Sequence, residues 1–302
     1  MVGPFLLVLT LLGCGACSST SDTEPPSAPG TLWAGGGFAC LERGGQFDCR
    51  LLDYLTSDHG QAELPDETLS YVSIRTFGGC AVAADGTGSC FGGNANHTND
   101  MPGGTWTMIE HGGAQVCGLR SDGTPECWGN GAAVEAPPPG PFVDVRAMDG
   151  AACAREASGE ITCWGSDYDG NITSPPGTWS SFILPNSYLC MLDAAGSIRC
   201  SGLESVAGAT IPTGSGHRSL TGGFRFACAL DTDDKAVCWG ENTVGQLDAP
   251  EDRFLEIASA DYLTCGLKAD GEVKCWGCRD ESSSEPSLYC NWDAPAPWWV
   301  PG

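Results

Sequence analysis

The placement of the cysteines constrains this chain more than any other feature. Past residue 30 they fall in pairs: Cys40/Cys49, Cys80/Cys90, Cys117/Cys127, Cys153/Cys163, Cys190/Cys200, Cys228/Cys238 and Cys265/Cys275. Six pairs are ten residues apart and the first is nine; the first cysteines recur at intervals of 40, 37, 36, 37, 38 and 37. A fixed period of this size signals a stacked repeat, here seven copies of about 37 residues. A second register agrees. Eight residues before each first cysteine stands Leu32, Val72, Ile109, Val145, Phe182, Leu220 or Ile257, each large and apolar. A zinc reading fails on spacing, because metal-binding pairs sit ~2–4 residues apart.

Each pair reads as the base of a β-hairpin. Folding Cys117–Cys127 about its midpoint sets Arg120 opposite Thr124, with Ser121-Asp122-Gly123 as the loop. Such a loop wants a left-handed residue in third place. Gly86, Gly123, Gly159, Gly196 and Gly271 occupy it, and Asp234 is a tolerable substitute. The first unit is one residue shorter and carries Gly44-Gly45, a two-residue loop. Counting outward, the cysteines meet at non-hydrogen-bonded ladder pairs, whose Cα atoms lie ~4.5 Å apart, within reach of a disulfide. A disulfide is therefore expected within each of the seven pairs. Leu119, Leu192, Ile198, Leu230, Leu267 and Val273 share the cysteine face, while Glu126, Thr162, Arg199 and Lys274 alternate with them, the period of strands. In "CWGC" the register assigns Cys275 to Cys265, which leaves Cys278 to pair with Cys290.

Units of this length fit four short strands each, and a ring of blades removes most exposed sheet edges. The 43 Gly and 20 Pro suit many short strands rather than long helices. The fold class expected is all-β, a seven-bladed β-propeller over residues 30–302. Trp298-Trp299-Val300 resemble the strand starts Phe142-Val143 and Phe254-Leu255 and are expected to complete the first blade, which begins late at Thr31-Leu32.

"CALDTDDKAVCWGENTVGQL" resembles the regulator of chromosome condensation repeat, in the cysteine-bearing form of bacterial secreted proteins. The resemblance rests on Cys228, Leu230, Cys238, Trp239, Gly240, Asn242, Gly245, Gln246 and Leu247. Trp-Gly recurs at residues 128, 164 and 276, with Phe91-Gly92 a variant; units one and five have Arg50 and Ser201 at the aromatic position. The family's common His, two residues before the first cysteine, is replaced by Phe38, Gly78, Gln115, Ala151, Tyr188, Phe226 and Leu263. The resemblance implies a seven-bladed propeller that binds a partner. Secreted β-lactamase-inhibiting propellers are similar in blade number and unit length, and imply an inhibitor as the alternative role.

The first residues suggest export. Phe5–Leu12 is an apolar run, too short to span a bilayer, and "LLGC" resembles a bacterial lipobox. Residues 1–13 are expected to be a signal peptide, and 14–29 a flexible tether lipidated at Cys14, with Cys17 the alternative that cysteine parity favours. The tether is polar and Pro-rich and cannot order itself. Eighteen cysteines also fit an oxidising compartment. The expected location is the bacterial envelope, on the outer membrane or cell surface, with membrane contact only through lipid.

The formal charge of −24 opposes nucleic-acid binding, which needs Lys and Arg to displace counterions. It suits solubility or a basic partner. No cofactor, metal or catalytic residue is assigned. Asp167–Asn171 resembles the start of a calcium loop but lacks its later Glu and reads as a turn. The four His (His59, His97, His111, His217) occupy no repeated position. The function expected is a monomeric scaffold that binds a protein or glycan; an enzyme at the propeller's central mouth is the other reading. The best candidate contact is the excursion after Gly277, stapled by Cys278–Cys290, with Asp280, Glu281, Glu285, Tyr289 and Trp292. Residues 51–69 form the other long excursion.

Overall fold

The computed structural model describes residues 30–277, apart from 36–37, 44–45, 52–63, 66, 76–77, 95, 132–136, 167–172, 186–187 and 203–209; for 35, 38 and 46–51 it describes the backbone alone. Twenty-one strands form seven antiparallel three-stranded sheets, one per repeat. Blades one to three comprise β1 (Thr31–Gly35), β2 (Phe38–Arg43) and β3 (Gln46–Leu51), then β4 (Leu69–Arg75), β5 (Gly78–Ala83) and β6 (Gly88–Gly92), then β7 (Trp106–His111), β8 (Gln115–Arg120) and β9 (Pro125–Gly129). Blades four and five comprise β10 (Asp144–Met148), β11 (Ala151–Arg155) and β12 (Ile161–Gly165), then β13 (Ser181–Ile183), β14 (Leu189–Leu192) and β15 (Ile198–Ser201). Blades six and seven comprise β16 (Arg218–Gly223), β17 (Phe226–Leu230) and β18 (Ala236–Gly240), then β19 (Glu256–Ala260), β20 (Leu263–Leu267) and β21 (Val273–Gly277).

The cysteines stand where the ladder count puts them. Each first cysteine is the register partner of the second: Cys80↔Cys90, Cys117↔Cys127, Cys153↔Cys163, Cys190↔Cys200, Cys228↔Cys238 and Cys265↔Cys275. These six pairs are disulfides, with Cα separations of 3.9–4.1 Å. In blade one Cys40 is disulfide-bonded and stands opposite Cys49 in the ladder. The hairpin loops also match: Gly86, Gly123, Gly159, Gly196 and Gly271 have φ of 78–93°, and Asp234 has φ 65°.

The two halves of a disulfide are not equally enclosed, a difference that the shared face did not predict. The first cysteines, Cys40, Cys80, Cys117, Cys153, Cys190, Cys228 and Cys265, are fully buried. Their partners Cys90, Cys163, Cys200, Cys238 and Cys275 are half-buried, and of the described second cysteines only Cys127 is buried. The reason is strand position. The first cysteine lies on the middle strand, flanked on both sides, whereas Cys90 on β6 and Cys200 on β15 lie on the edge strand of their sheets.

These disulfides nonetheless belong to the core. One apolar cluster fills each junction between neighbouring blades, and each contains a cysteine of one blade and the apolar register residue of the next. Cys80 packs in the cluster of Ile109 with Cys90 against it, and Cys190 with Leu220 and Cys200. Cys117 packs with Val145, Cys153 with Phe182, and Cys228 with Ile257. The cluster of Leu32 and Cys265 joins blade seven to blade one and closes the ring. The Leu32 N–H donates to Glu256 Oε2 at 2.9 Å across the same junction. The position before the first cysteines that varies so widely in sequence also bridges blades. Gln115 Nε2 donates to the Ala151 carbonyl at 3.0 Å, and the Tyr188 hydroxyl donates to the carbonyls of Gly223 and Phe226.

Each sheet has three strands among the described residues, where four were expected. In blades two and six the segment after the third strand is knitted by side chains instead. Asn94 Oδ1 accepts from the Asn99 N–H and Asn94 Nδ2 donates to Asp100; Asn242 repeats this with Leu247 and Asp248. Asn and Asp side chains that bond local backbone favour turns over ladders. A single bridge, Thr87↔Thr105, is what pairing survives in blade two. The segment then latches onto the hairpin loop before it. The N–H groups of Trp106, Phe142, Trp179, His217 and Phe254 donate at 2.8–3.1 Å to the carbonyls of Gly86, Gly123, Gly159, Gly196 and Asp234. Phe142 and Phe254 are thus buried latches just ahead of β10 and β19. At the seventh loop the Gly271 carbonyl accepts instead from Arg43 Nη2, at 3.3 Å. Residues 298–300 lie outside the described residues.

Candidate functional site: the central channel and the blade ends

The inner strands β1, β4, β7, β10, β13, β16 and β19 surround a central cavity of about 290 Å³. One position on each strand stands opposite the first cysteine of its hairpin: Trp33, Ser73, Glu110, Arg146, Ile183, Thr221 and Ala258. All seven line the cavity. The ring is therefore set by the repeat, while its chemistry differs from blade to blade. Ser73, Glu110 and Arg146 gather polar groups on blades two to four, while Trp33, Ile183 and Ala258 are apolar and Thr221 of blade six stands between the last two.

On the polar arc the Tyr71 hydroxyl donates to Glu110 Oε2 at 2.7 Å, and Arg146 Nη1 donates to the Tyr71 oxygen at 2.9 Å. Arg146 also lies 3.7 Å from Glu110 and 3.3 Å from Asp144. Burial drives the Tyr71 pKa well up, so the phenol stays neutral. Burial opposes the Arg146 charge, but Tyr71, Asp144 and Glu110 outweigh it and hold the guanidinium protonated. Glu256, across the channel, has its pKa raised by burial, partly offset by the Leu32 N–H.

His111 ends β7 and is 2% exposed. Its Nδ1 accepts from the Gly113 N–H at 3.2 Å. Burial, and then the Arg75 charge, lower its pKa from 6.5 to about 4. The unfolded chain therefore takes up a proton as pH falls below 6.5, while the folded chain resists until about 4. Stability is lost across that window, by about 3 kcal/mol at its lower end for this one group. The raised Glu256 acts in the opposite sense. His111→Gln should flatten the fall of Tm between pH 6.5 and 4 relative to the parent; parallel curves would refute the assignment.

A second feature lies where inner strands turn into middle strands. Residues 224–225 and 261–262 make these turns in blades six and seven. Phe224 and Tyr262 are 36% and 40% exposed, with ring centroids 5.3 Å apart. Arg225 (φ 58°) and Asp261 (φ 44°) are left-handed without being glycine. The Phe224 N–H donates to the Asp261 carbonyl at 2.5 Å, which ties the two turns, and within blade six Arg225 pairs with Glu241 at 3.2 Å. Gly277, the last described residue, is the register partner of Leu263, the residue after Tyr262.

Of the residues singled out in the sequence, Cys14, Cys17, His59, the 167–171 segment, Cys278, Asp280, Glu281, Glu285, Tyr289, Cys290 and Trp292 lie outside the described residues. His97 is exposed and bonds Asp100, and His217 Nδ1 lies 3.0 Å from the Gly196 carbonyl. Among the described residues no group of three His, Cys, Asp or Glu is placed to hold a metal. No helix among them is long and apolar enough to cross a membrane, which says nothing of β-barrels. The channel ring and the aromatic pair escaped the sequence reading. The ring had a signal: it is the residue after each apolar register position.

Comparison with known proteins agrees with this architecture. The family described as Regulator of chromosome condensation (RCC1) repeat matches residues 218–246. The serine/threonine-protein kinase-like protein CCR4 of Arabidopsis thaliana is 32% identical over 65 residues, which are 21% of this chain and 8% of that protein. The chain thus spans under a tenth of that relative's length. Among solved structures, the ectodomain of the Physcomitrella patens receptor kinase CR4 superposes with TM-score 0.67 at 21% identity, covering 82% of this chain and 72% of that one. The CRINKLY WD40 ectodomain of the Arabidopsis thaliana receptor kinase ACR4 gives 0.65 at 20%, covering 83% and 95%. Prp20p of Saccharomyces cerevisiae, described with its binding properties to Gsp1p and histones, gives 0.60 at 12%, covering 76% and 74%. At these identities the solved structures speak to the fold.

Proposed function

We infer that this RCC1-like repeat propeller is an extracytoplasmic, non-catalytic scaffold that docks a protein on the blade ends bearing Phe224 and Tyr262. The exposed aromatic pair carries the reading. Aromatic anchors dominate binding hot spots, and turns on a rigid scaffold present them with little ordering cost. The excursion after Gly277 lies outside the described residues; leaving from the end of β21, it would add Tyr289 and Trp292, with Asp280, Glu281 and Glu285 for a basic partner. Cys278–Cys290 would staple its base. The similarity to receptor ectodomains and to Prp20p supports a binding role.

The test begins with residues 30–302 as bait in an envelope extract. Once a partner is captured, Phe224→Ala/Tyr262→Ala should weaken binding by about 2 kcal/mol or more. Excising 279–289 with Cys278→Ser and Cys290→Ser should weaken it separately while the blades stay folded. Full affinity in both variants would defeat this surface and move the search to residues 51–69.

The cysteine-rich core favours an oxidising compartment, and the lipobox-like "LLGC" supports a lipid tether at Cys14, or else Cys17. Replacing both with Ser should release the protein from membranes; unchanged fractionation would contradict the tether.

A further inference from the structure

We propose that the central channel is a binding site for a small organic carboxylate with an apolar body, received by Arg75. Arg75 ends β4 and lines the cavity. Its Nε donates to the His111 carbonyl at 3.0 Å, and its Nη2 lies 3.4 Å from the Ala147 carbonyl. Those carbonyls belong to blades three and four, so the guanidinium is drawn across the channel rather than along its own blade. A guanidinium has five N–H donors. Two are engaged in this way, and among the described residues no carboxylate stands within ion-pair distance of Arg75. The contrast with Arg146 is direct: the same cavity neutralises Arg146 with Glu110, Asp144 and the Tyr71 hydroxyl. Among the described residues Arg75 is thus a channel cation met by carbonyl groups alone, which leaves its remaining N–H donors to offer an anion a charge-assisted fork.

The rest of the wall defines the ligand's body. Trp33, Ile183, Leu184, Pro185 and Ala258 supply the apolar part of the wall, beside Ser219, Thr221, Glu256 and Ser259. The volume of about 290 Å³ is at the lower end of ligand pockets, which suits a single-ring or short-chain acid over a peptide. The inner strand of blade six slips register between Arg218 and Thr221, as those of blades two and three do between Leu69 and Tyr71 and between Trp106 and Met108; in blade six alone of these three the slip carries a left-handed residue, Ser219 at φ 52°, that lines the cavity. Bulges and left-handed non-glycine residues concentrate where a side chain is re-aimed at a site. A planar carboxylate matches the fork of a guanidinium, whereas the apolar part of the wall disfavours phosphate or sulfate alone.

The probe pair is benzoate and its uncharged isostere benzamide, titrated into the full chain with binding read by ligand-observed NMR. Benzoate should bind about tenfold or more tightly than benzamide, because a charge-assisted bond at a half-enclosed site is worth that much. Arg75→Met should erase the preference, and Arg75→Lys should keep part of it, since charge survives and the fork does not. Trp33→Ala should weaken both probes while preserving their ratio. Equal affinity of the two probes for the parent chain overturns the proposal, as does a preference that survives Arg75→Met. If Arg75→Met does not fold, Arg75→Gln serves in its place, and a retained preference there overturns the proposal equally.

Discussion

Replacing Cys153 and Cys163 together by alanine should lower the unfolding free energy by about 2–5 kcal/mol, measured by denaturant titration. Part of this is loop closure, which a hairpin of this length limits to under ~3 kcal/mol. The rest follows from where the sulfurs sit. Cys153 is fully buried and shares a cluster with Trp179, Phe182, Leu189 and Met191 of the next blade. Removing both sulfurs therefore opens a void at the junction of blades four and five, and voids in packed cores add to the transfer cost. The same change at Cys80–Cys90 or Cys190–Cys200 should cost a similar amount, because there too the first sulfur fills the junction and the half-buried second one caps it. An unchanged denaturation midpoint would mean the pair is a surface staple, and non-reducing peptide mapping that linked Cys153 to another blade would overturn the hairpin register itself.

That cysteines could disclose so much follows from periodicity. A feature repeated seven times in register with a turn residue and an apolar residue is hard to misread. Cys80, Leu119 and Gly123 each report one face, one strand and one loop, and their copies report the same. The fourth strand expected from unit length is not formed among the described residues of blades two and six. Asn94 and Asn242 divert that segment into side-chain-held turns, a local chemistry that overrides the room available. The channel was illegible for the opposite reason. Its residues share a position but no chemistry, and its bonds join residues 39 and 75 apart in sequence, Tyr71 to Glu110 and Tyr71 to Arg146. The aromatic pair likewise depends on two turns from different repeats meeting, and no pattern within either repeat announces it.

The channel network gives the second large expectation. Arg146→Met should cost about 1–3 kcal/mol, and adding Glu110→Gln should return part of that loss rather than deepen it. Met keeps much of the aliphatic volume, so the change is mainly electrostatic. It leaves Glu110, largely buried at 14% exposure, without its cation, while Asp144 keeps only the more distant Arg155 at 3.9 Å. Removing one member of an enclosed pair strands the other, which is worse than removing both. Arg146 is itself 27% exposed, so water softens the penalty and keeps it near the lower half of that range. Tyr71 makes the effect structural as well, because its hydroxyl loses the Arg146 N–H that fixes it. The Tyr71 ring packs edge-on against Trp33 at 5.3 Å, so the loss reaches the junction of blades one and two. Denaturant unfolding of the parent, both single variants and the double variant measures the coupling. Single costs that add to within about 0.5 kcal/mol would show that Arg146 and Glu110 act independently and that the channel holds no network.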